Sequence, residues 1–201
     1  MPRSSEQLEK LRNEKKKLIR ETALGLFAEN GFHATSISQI AQKAKISKGL
    51  AYNYFESKFD ILKDIIYNGF DEFFGGFDVN QDNKVTDEEF YAFIRKSFAL
   101  VKQNPRYWKL YYSLMLQPVV TDSLSNEFID RSKPVMAMMY NFIVTKGSQD
   151  PKGDLMAIGS MLEGAMLYAV VTPDIFPIDQ LVEKIISTIH RIIDTNTNKQ
   201  P

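Results

Sequence analysis

The sequence predicts an all-α protein of about nine helices, because apolar residues recur three and four positions apart along most of the chain. Breaks containing Pro, Gly or Ser-Asp separate the periodic segments, and no segment predicts a strand convincingly. A long first helix, two short helices and a connecting helix over 57–74 come first. The later predicted helices cover 88–104, 105–117, 124–146, 154–171 and 178–194.

Two short helices meet at a tight turn between residues 35 and 58. Ser36 and Gln39 have the spacing of a capping box at the start of the first helix, and Ser47 can cap the second. Ala41 is small enough to let another helix cross closely, and the few residues between the two helices allow only a sharp turn. The segment therefore predicts a helix-turn-helix.

The second short helix is predicted to place Lys48, Gly49, Tyr52 and Asn53 on its outer face. A cation and a hydroxyl suit phosphate oxygens, an amide suits base edges, and glycine lets one backbone approach another. These residue types favour a DNA-binding face. By residue types alone, a solvated face with half-buried tyrosines is an equal alternative.

Several short motifs follow one another at fixed spacing in this part of the chain. They are Leu26-Phe27-Ala28-Glu29-Asn30-Gly31-Phe32, Thr35-Ser36-Ile37, Ile40-Ala41, Ser47-Lys48-Gly49, Tyr52-Asn53-Tyr54-Phe55 and Ser57-Lys58. In this order and spacing, residues 12–66 resemble the N-terminal domain of TetR/AcrR-type transcriptional regulators. The resemblance implies that the second short helix lies in the major groove of DNA.

The resemblance also implies which residues touch DNA, with Lys48, Gly49 and Tyr52 contacting bases or phosphates. The matched positions that hold the DNA backbone are Thr35, Ser36, Ser38, Tyr54 and Lys58. Lys45 stands in the turn where the family usually has glycine; a left-handed backbone there costs about 1 kcal/mol, which a phosphate contact would offset. The full set of candidate DNA contacts is Thr35, Ser36, Ser38, Lys45, Ser47, Lys48, Gly49, Leu50, Tyr52, Asn53, Tyr54 and Lys58.

Charge is distributed unevenly along a chain whose formal net charge is zero. Residues 1–66 carry a net charge of +4, and residues 67–201 carry −4. The basic end is therefore the expected DNA end. Because its excess charge is modest, we expect two copies of the chain to share one duplex.

Composition excludes several other classes of protein. The chain has no cysteine, which rules out disulfides and thiolate metal sites. His33 and His190 fall in different predicted domains without a catalytic pattern around them, so we do not expect an enzyme. No apolar run follows the N-terminal lysines, which predicts a cytoplasmic protein. The apolar stretch 155–171 contains Glu163 and predicts a buried helix, not a membrane span.

The predicted domains are a DNA-binding domain over 1–56, a connecting helix over 57–74 and a ligand-binding and dimerisation domain over 75–201. The last of these is rich in large apolar side chains, which can line a cavity for a small apolar or aromatic ligand or form plain core. Only the resemblance, which implies an inducer pocket here, favours a cavity. The candidate pocket residues are Phe93, Tyr107, Trp108, Tyr111, Met115, Met136, Met139, Tyr140 and Met161, with Glu163 as a polar anchor.

The last two predicted helices have the features of a homodimer interface. The final helix has an isoleucine-rich stripe that is too wide for one neighbour, and the helix before it has small residues that allow close approach. Closure of the monomer's own core is the alternative. The candidate interface residues are Gly159, Gly164, Ala165, Ile178, Leu181, Ile185 and Ile189.

The segment 78–89 has the spacing of a calcium-binding EF-hand loop. Its candidate ligands are Asp78, Asn80, Asp82, Lys84 through its carbonyl, and Glu89. Asn83 stands where such loops normally have glycine. The alternative, which we favour, is a polar connection in which Thr86 and Glu89 form a capping box.

Two classes of function follow from these observations. The resemblance implies a homodimeric DNA-binding regulator, a repressor that a small-molecule inducer releases from a palindromic double-stranded operator. An activator and a calcium-responsive helical interaction protein remain as alternatives. Apart from calcium, no cofactor is indicated.

Overall fold

Helices are the regular secondary structure of the described part of the chain. The computed structural model describes residues 5–78, 82–172, 175 and 177–197, and these residues contain ten helices and no strand. This confirms the all-α prediction. The helices are α1 (Ser5–Asn30), α2 (Ile37–Lys43), α3 (Lys48–Tyr52), α4 (Lys58–Phe74), α5 (Asp87–Gln103), α6 (Pro105–Met115), α7 (Pro118–Ser123), α8 (Ser125–Thr145), α9 (Pro151–Val171) and α10 (Ile178–Thr197).

The helix absent from the prediction is α7, which has six residues. Pro118 occupies its first turn, where the missing N–H costs nothing, and Gln117 precedes it with an extended backbone. A helix this short has too few positions to show apolar periodicity, so the sequence indicated only a connection between longer helices.

The chain packs as two compact units. Unit 1 comprises Met1–Phe70 with Leu110–Asn126, and unit 2 comprises Asp71–Lys109 with Glu127–Pro201. The predicted domains were continuous in sequence, whereas unit 1 takes in a later segment that contains α7 and the end of α6. That segment supplies Leu114, Val120 and Leu124, all of which are buried.

Unit 1 is held together by an aliphatic core and by two specific contacts. Lys16 and Arg20 of α1 form salt bridges to Asp64 of α4, with N–O distances of 2.5 and 3.0 Å. The hydroxyl of Tyr111 donates a hydrogen bond of 3.0 Å to the carbonyl of Ile66. A Cβ on Gly69 would lie 2.2 Å from the Tyr111 ring, so glycine lets this ring pack on α4.

Unit 2 has an aromatic and aliphatic core with ion pairs at its surface. Stacked rings of Phe90 and Phe142 lie 4.5 Å apart in that core. Helix α9 was predicted to be buried, but Leu167 and Tyr168 on it are about half exposed. By length and composition alone, α9 could cross a membrane, a test that core helices of soluble proteins also pass.

Candidate nucleic-acid interface and ligand cavity

The turn between α2 and α3 is fixed by local hydrogen bonds. Ser36 and Gln39 form the predicted capping box, and the Ser47 hydroxyl accepts a bond of 3.1 Å from the Leu50 amide. At the end of α2, the Ile46 amide donates to the Ala41 carbonyl and the Lys45 amide to the Gln42 carbonyl. This pattern is a Schellman motif, which requires a left-handed residue. Lys45 is that residue, with φ of 54°, at the position where the family usually has glycine.

The outer face of α3 has the predicted composition. Lys48, Gly49, Tyr52 and Asn53 are exposed, while Ala51 is fully buried against the rest of unit 1. The Lys48 ammonium lies 5.9 Å from the centre of the Tyr52 ring. A Cβ at Gly49 would meet no atom within 4 Å, so nothing inside the protein requires glycine there. The face therefore offers a cation, a phenol, an amide and bare backbone to a partner.

The prediction that the Thr35 side chain contacts DNA is wrong for this conformation. Its side chain is 3% exposed, and its hydroxyl donates to the carbonyls of Gly31 and Leu26 at 2.9 and 3.3 Å. The hydroxyl is therefore inaccessible to phosphate. Its role is to fix the chain between α1 and α2.

The Lys58 side chain also holds the segment between α1 and α2 in place. Its ammonium donates to the carbonyls of Phe32, His33 and Thr35 at 2.7, 3.2 and 2.7 Å, which uses all three of its protons. Partial burial lowers the pKa of Lys58. The predicted phosphate contact by Lys58 is wrong for this conformation, because no proton is left for an outside acceptor.

The other candidate DNA contacts are accessible. Ser36, Ser38, Lys45 and Ser47 are exposed, and Leu50 and Tyr54 are half-buried. Sequence reasoning missed two cations: Arg12 and Lys15 of α1 are exposed and line a cleft with Asn53 and Tyr54. Their signal was the basic run in α1, but the run alone does not separate them from Lys16 and Arg20, which pair with Asp64.

Gln117 completes the support of the helix-turn-helix within unit 1. Its amide nitrogen donates a bond of 2.9 Å to the Phe27 carbonyl at the end of α1. Its amide oxygen accepts a bond of 3.3 Å from the Phe32 amide. The two partners are 90 and 85 residues away in sequence, so no local pattern could reveal this contact.

Unit 2 contains a partly open apolar cavity of about 370 Å³. This volume is near the lower end of the range of about 300–1,000 Å³ that is usual for small-molecule sites. Helices α4, α5, α8 and α9 supply its walls. The lining residues are Phe73, Phe74, Phe90, Phe93, Ile94, Ser97, Met136, Met139, Ile143, Leu155, Met156, Ile158, Gly159, Leu162, Glu163 and Met166.

The predicted pocket residues divide into two groups. Phe93, Met136, Met139 and Glu163 line the cavity. The remaining candidates do not line it. Tyr140 and Met161 lie on other faces of α8 and α9, Tyr107 and Trp108 lie on α6, which supplies no wall, and Tyr111 and Met115 belong to unit 1. A signal for the missed residues existed, since Phe90, Phe93, Ile94 and Ser97 recur at helical spacing on one face of α5.

Three of the predicted dimer-interface residues lie inside unit 2. Ala165, Ile185 and Ile189 are 7%, 4% and 0% exposed, so their assignment to a surface between two copies is wrong in this conformation. These three residues instead belong to the monomer's own core, which was the alternative interpretation. Gly159 lines the cavity, while Gly164, Ile178 and Leu181 are half-buried.

The candidate calcium loop is partly described. Asp78 accepts hydrogen bonds from the amides of Asp82 and Asn83, at 3.3 and 2.8 Å, and Asn83 has φ of 61°. Asp82 accepts a bond of 2.7 Å from the amide of Lys84. Thr86 and Glu89 form the capping box of the alternative reading.

Calcium binding by this loop stays a prediction. Asn80 lies outside the described residues. Within the part of the chain that is described, no group of three or more His, Asp or Glu residues could hold a metal ion.

Comparison with known proteins gives a family match in unit 1. Residues 19–65 match the family model of bacterial regulatory proteins of the tetR family. The chain is 49% identical over 61 residues to the uncharacterised HTH-type transcriptional regulator YuxN of Bacillus subtilis, covering 30% of this chain and 21% of that protein. The match includes α2 and α3, whose geometry is described above.

A second relative and a solved structure extend the comparison. The negative transcriptional regulator IcaR of the biofilm operon in Staphylococcus epidermidis is 29% identical over 109 residues, covering 54% of this chain and 57% of IcaR. The chain thus spans less than two thirds of the length of these relatives. The SmeT–triclosan complex has a TM-score of 0.66 at 17% identity, covering 86% of this chain and 90% of SmeT, which shows a common fold.

Proposed function

We propose that the chain is a transcriptional regulator of the TetR type that represses transcription as a homodimer on a palindromic operator. Ligand binding in the unit 2 cavity would lower its affinity for that DNA. The observation that carries the proposal is the outer face of α3, where Lys48, Tyr52 and Asn53 are exposed on a helix with a fixed turn. We infer cytoplasmic action from the same function.

The proposed DNA contacts fall into two classes. Lys48, Tyr52 and Asn53 would read base edges and phosphates from within the major groove. Ser36, Ser38 and Lys45 are exposed beside them and would hold the backbone, as would Arg12 and Lys15 at the edge of the cleft. Thr35, Lys58 and Gln117 would keep the turn in position without touching DNA.

The test is duplex binding by the double variant Lys48→Ala, Tyr52→Ala. Selection of bound fragments from a random duplex pool at fixed salt would first define the operator. Each lost contact is worth about 1–3 kcal/mol, so we expect the affinity to fall about 5- to 150-fold per contact, with an unchanged melting temperature. Lys133→Ala, Tyr140→Ala removes the same residue types from exposed positions on α8 and should bind normally. Wild-type protein that selects no duplex would overturn the proposal.

The dimer would form through the outer face of α9. Leu167, Tyr168 and Val171 are 47%, 54% and 55% exposed and lie at helical spacing with Gly164, where an added Cβ would meet nothing within 4 Å. These residues replace the buried isoleucines as the proposed contact. The related IcaR is named a negative regulator, which supports repression as the direction of control.

Sedimentation tests the dimer. We expect wild-type protein to sediment as a dimer at micromolar concentration and Tyr168→Asp to sediment as a folded monomer, because a charge would be desolvated at the contact. The control is Tyr140→Asp, which places the same charge on an exposed position of α8. A monomeric wild type, or a dimeric Tyr168→Asp variant, would contradict this arrangement.

The ligand part of the proposal rests on the apolar cavity of unit 2. The SmeT structure is a complex with triclosan, and a cavity of about 370 Å³ here can take a small apolar or aromatic molecule. The calcium-responsive alternative lacks a comparable observation, because its loop is described only in part and Glu89 is used as a helix cap.

A further inference from the structure

The unit 2 cavity contains a buried polar group that the protein leaves without a partner. Ser97 lines the cavity from α5 and is 2% exposed. Among the described residues, its hydroxyl oxygen has no hydrogen-bond partner. Burying such a group without a hydrogen bond is unfavourable, so buried hydroxyls in proteins are normally paired. A group on a bound molecule would supply the missing bond.

The charges around the cavity restrict what that group can be. None of the described residues that line it is Lys, Arg or His. Its one ionisable lining residue is Glu163, which is exposed. A carboxylate or a phosphate inside would therefore be desolvated without a counter-ion, and Glu163 would repel it on entry. Among the described lining residues, an ammonium group could pair only with Glu163, and because that carboxylate is exposed, solvent would weaken the pair.

The apolar part of the wall restricts the rest of the molecule. Four phenylalanines and four methionines line the cavity. Aromatic rings favour flat or extended apolar groups, and methionine side chains adapt to irregular shapes. The cavity thus suits an apolar body that carries few polar atoms.

We propose that the ligand is an uncharged amphiphile that has an apolar body and one hydrogen-bonding group, a hydroxyl or a carbonyl, paired with Ser97. This inference rests on the proposed function, because it names the ligand class of the same cavity. It excludes a free fatty acid as the preferred ligand, since the carboxylate would lie in a space without a positive charge.

The experiment compares three ten-carbon probes that differ only in their head group: 1-decanol, decanoate and decylammonium. Each is titrated at neutral pH, below its micelle concentration, into the full-length protein. Trp108 is the single tryptophan, and its ring centroid lies 5.7 Å from that of Phe73, which lines the cavity. Its emission and the melting temperature are two independent measures of occupancy.

We expect 1-decanol to bind at least tenfold more tightly than either ion. Ser97→Ala should weaken 1-decanol binding about two- to tenfold, the range expected for one hydrogen bond, and leave the binding of the ions unchanged. The control is Ser187→Ala, which removes an exposed hydroxyl on α10 that does not line the cavity. It should bind all three probes as the wild type does.

The proposal is overturned if either ion binds as tightly as 1-decanol, if no probe binds, or if Ser97→Ala binds 1-decanol normally. Duplex binding is measured separately in the same preparations. DNA binding without any probe binding would overturn the ligand class alone. Ser97-dependent binding of 1-decanol by a protein that selects no duplex would support the ligand class and overturn the DNA-binding function.

Discussion

Thr35 in unit 1 and Ser97 in unit 2 are the buried polar side chains among the described residues, aromatic ones aside, and their hydroxyls have opposite surroundings. The Thr35 hydroxyl donates to the carbonyls of Gly31 and Leu26. Ser97 lines an apolar cavity, and its buried hydroxyl has no hydrogen-bond partner among the described residues. A buried polar group whose hydrogen bonds are all made within the protein stabilises the fold. A buried polar group that lacks such a bond is available to a ligand.

The surroundings of Thr35 and Ser97 also differ in how firmly hydrogen bonds within the protein hold them. Near Thr35, the capping box, the Lys58 ammonium and the Gln117 amide all form their hydrogen bonds within unit 1. Such a network holds α3 in place, which would lower the cost of ordering the protein in the proposed complex with DNA. The walls of the unit 2 cavity are aromatic rings and flexible methionines, which allow adjustment to a ligand.

The largest effect is expected at Thr35. Thr35→Val keeps the shape of the side chain but leaves the Gly31 and Leu26 carbonyls without this donor, and we expect the free energy of unfolding to fall by about 2 kcal/mol. Chemical denaturation measures it. Thr121→Val is the control, because it changes the same residue type at an exposed position of unit 1 and should stay within about 0.5 kcal/mol of wild type. An unchanged stability of Thr35→Val would contradict a structural role for this hydroxyl.

Sequence reasoning worked best where structure is decided by neighbouring residues. The caps at Ser36 and Ser47 were predicted, because each depends on residues within a few positions. The left-handed backbone of Lys45 was considered only as a condition, from the glycine that the family usually has there. Thr35 and Lys58 were assigned to DNA by resemblance to a family. That inference carries over residue type but not burial, and here both side chains bond to nearby carbonyls.

Prediction was weaker where distant segments meet. The cavity wall combines faces of α4, α5, α8 and α9, and residues such as Tyr107 and Met115 have the right composition on the wrong face or in the wrong unit. The isoleucine stripe of α10 was correctly recognised as apolar, but periodicity does not say which neighbour covers it. Ile185 and Ile189 are covered by unit 2 itself.

The second-largest effect is expected at Gly49, on the outer face of α3. Gly49→Ala should raise the free energy of unfolding by up to about 1 kcal/mol, because glycine is unfavourable in a helix and the added Cβ meets nothing. Operator affinity should nevertheless fall at least tenfold, since the Cβ would hold the backbone away from DNA. Gly25→Ala in α1 has equally open space and should change stability without changing affinity. Normal operator binding by Gly49→Ala would remove this residue from the interface.

The smallest effect is expected at Ser97. The sign of the change in the free energy of unfolding shows whether the Ser97 hydroxyl lacks a hydrogen bond or makes one within the protein. Ser97→Ala should raise the free energy of unfolding of the unliganded protein by about 0.5 kcal/mol, because alanine is the better helix former and no unpaired hydroxyl stays buried. A saturating uncharged ligand should offset this difference, since it binds the wild type more tightly and stabilises it more, and it reverses the order if the affinities differ by more than about threefold. Denaturation with and without 1-decanol measures both differences. A Ser97→Ala variant that is less stable than wild type without ligand would show that this hydroxyl is bonded inside the fold, as that of Thr35 is.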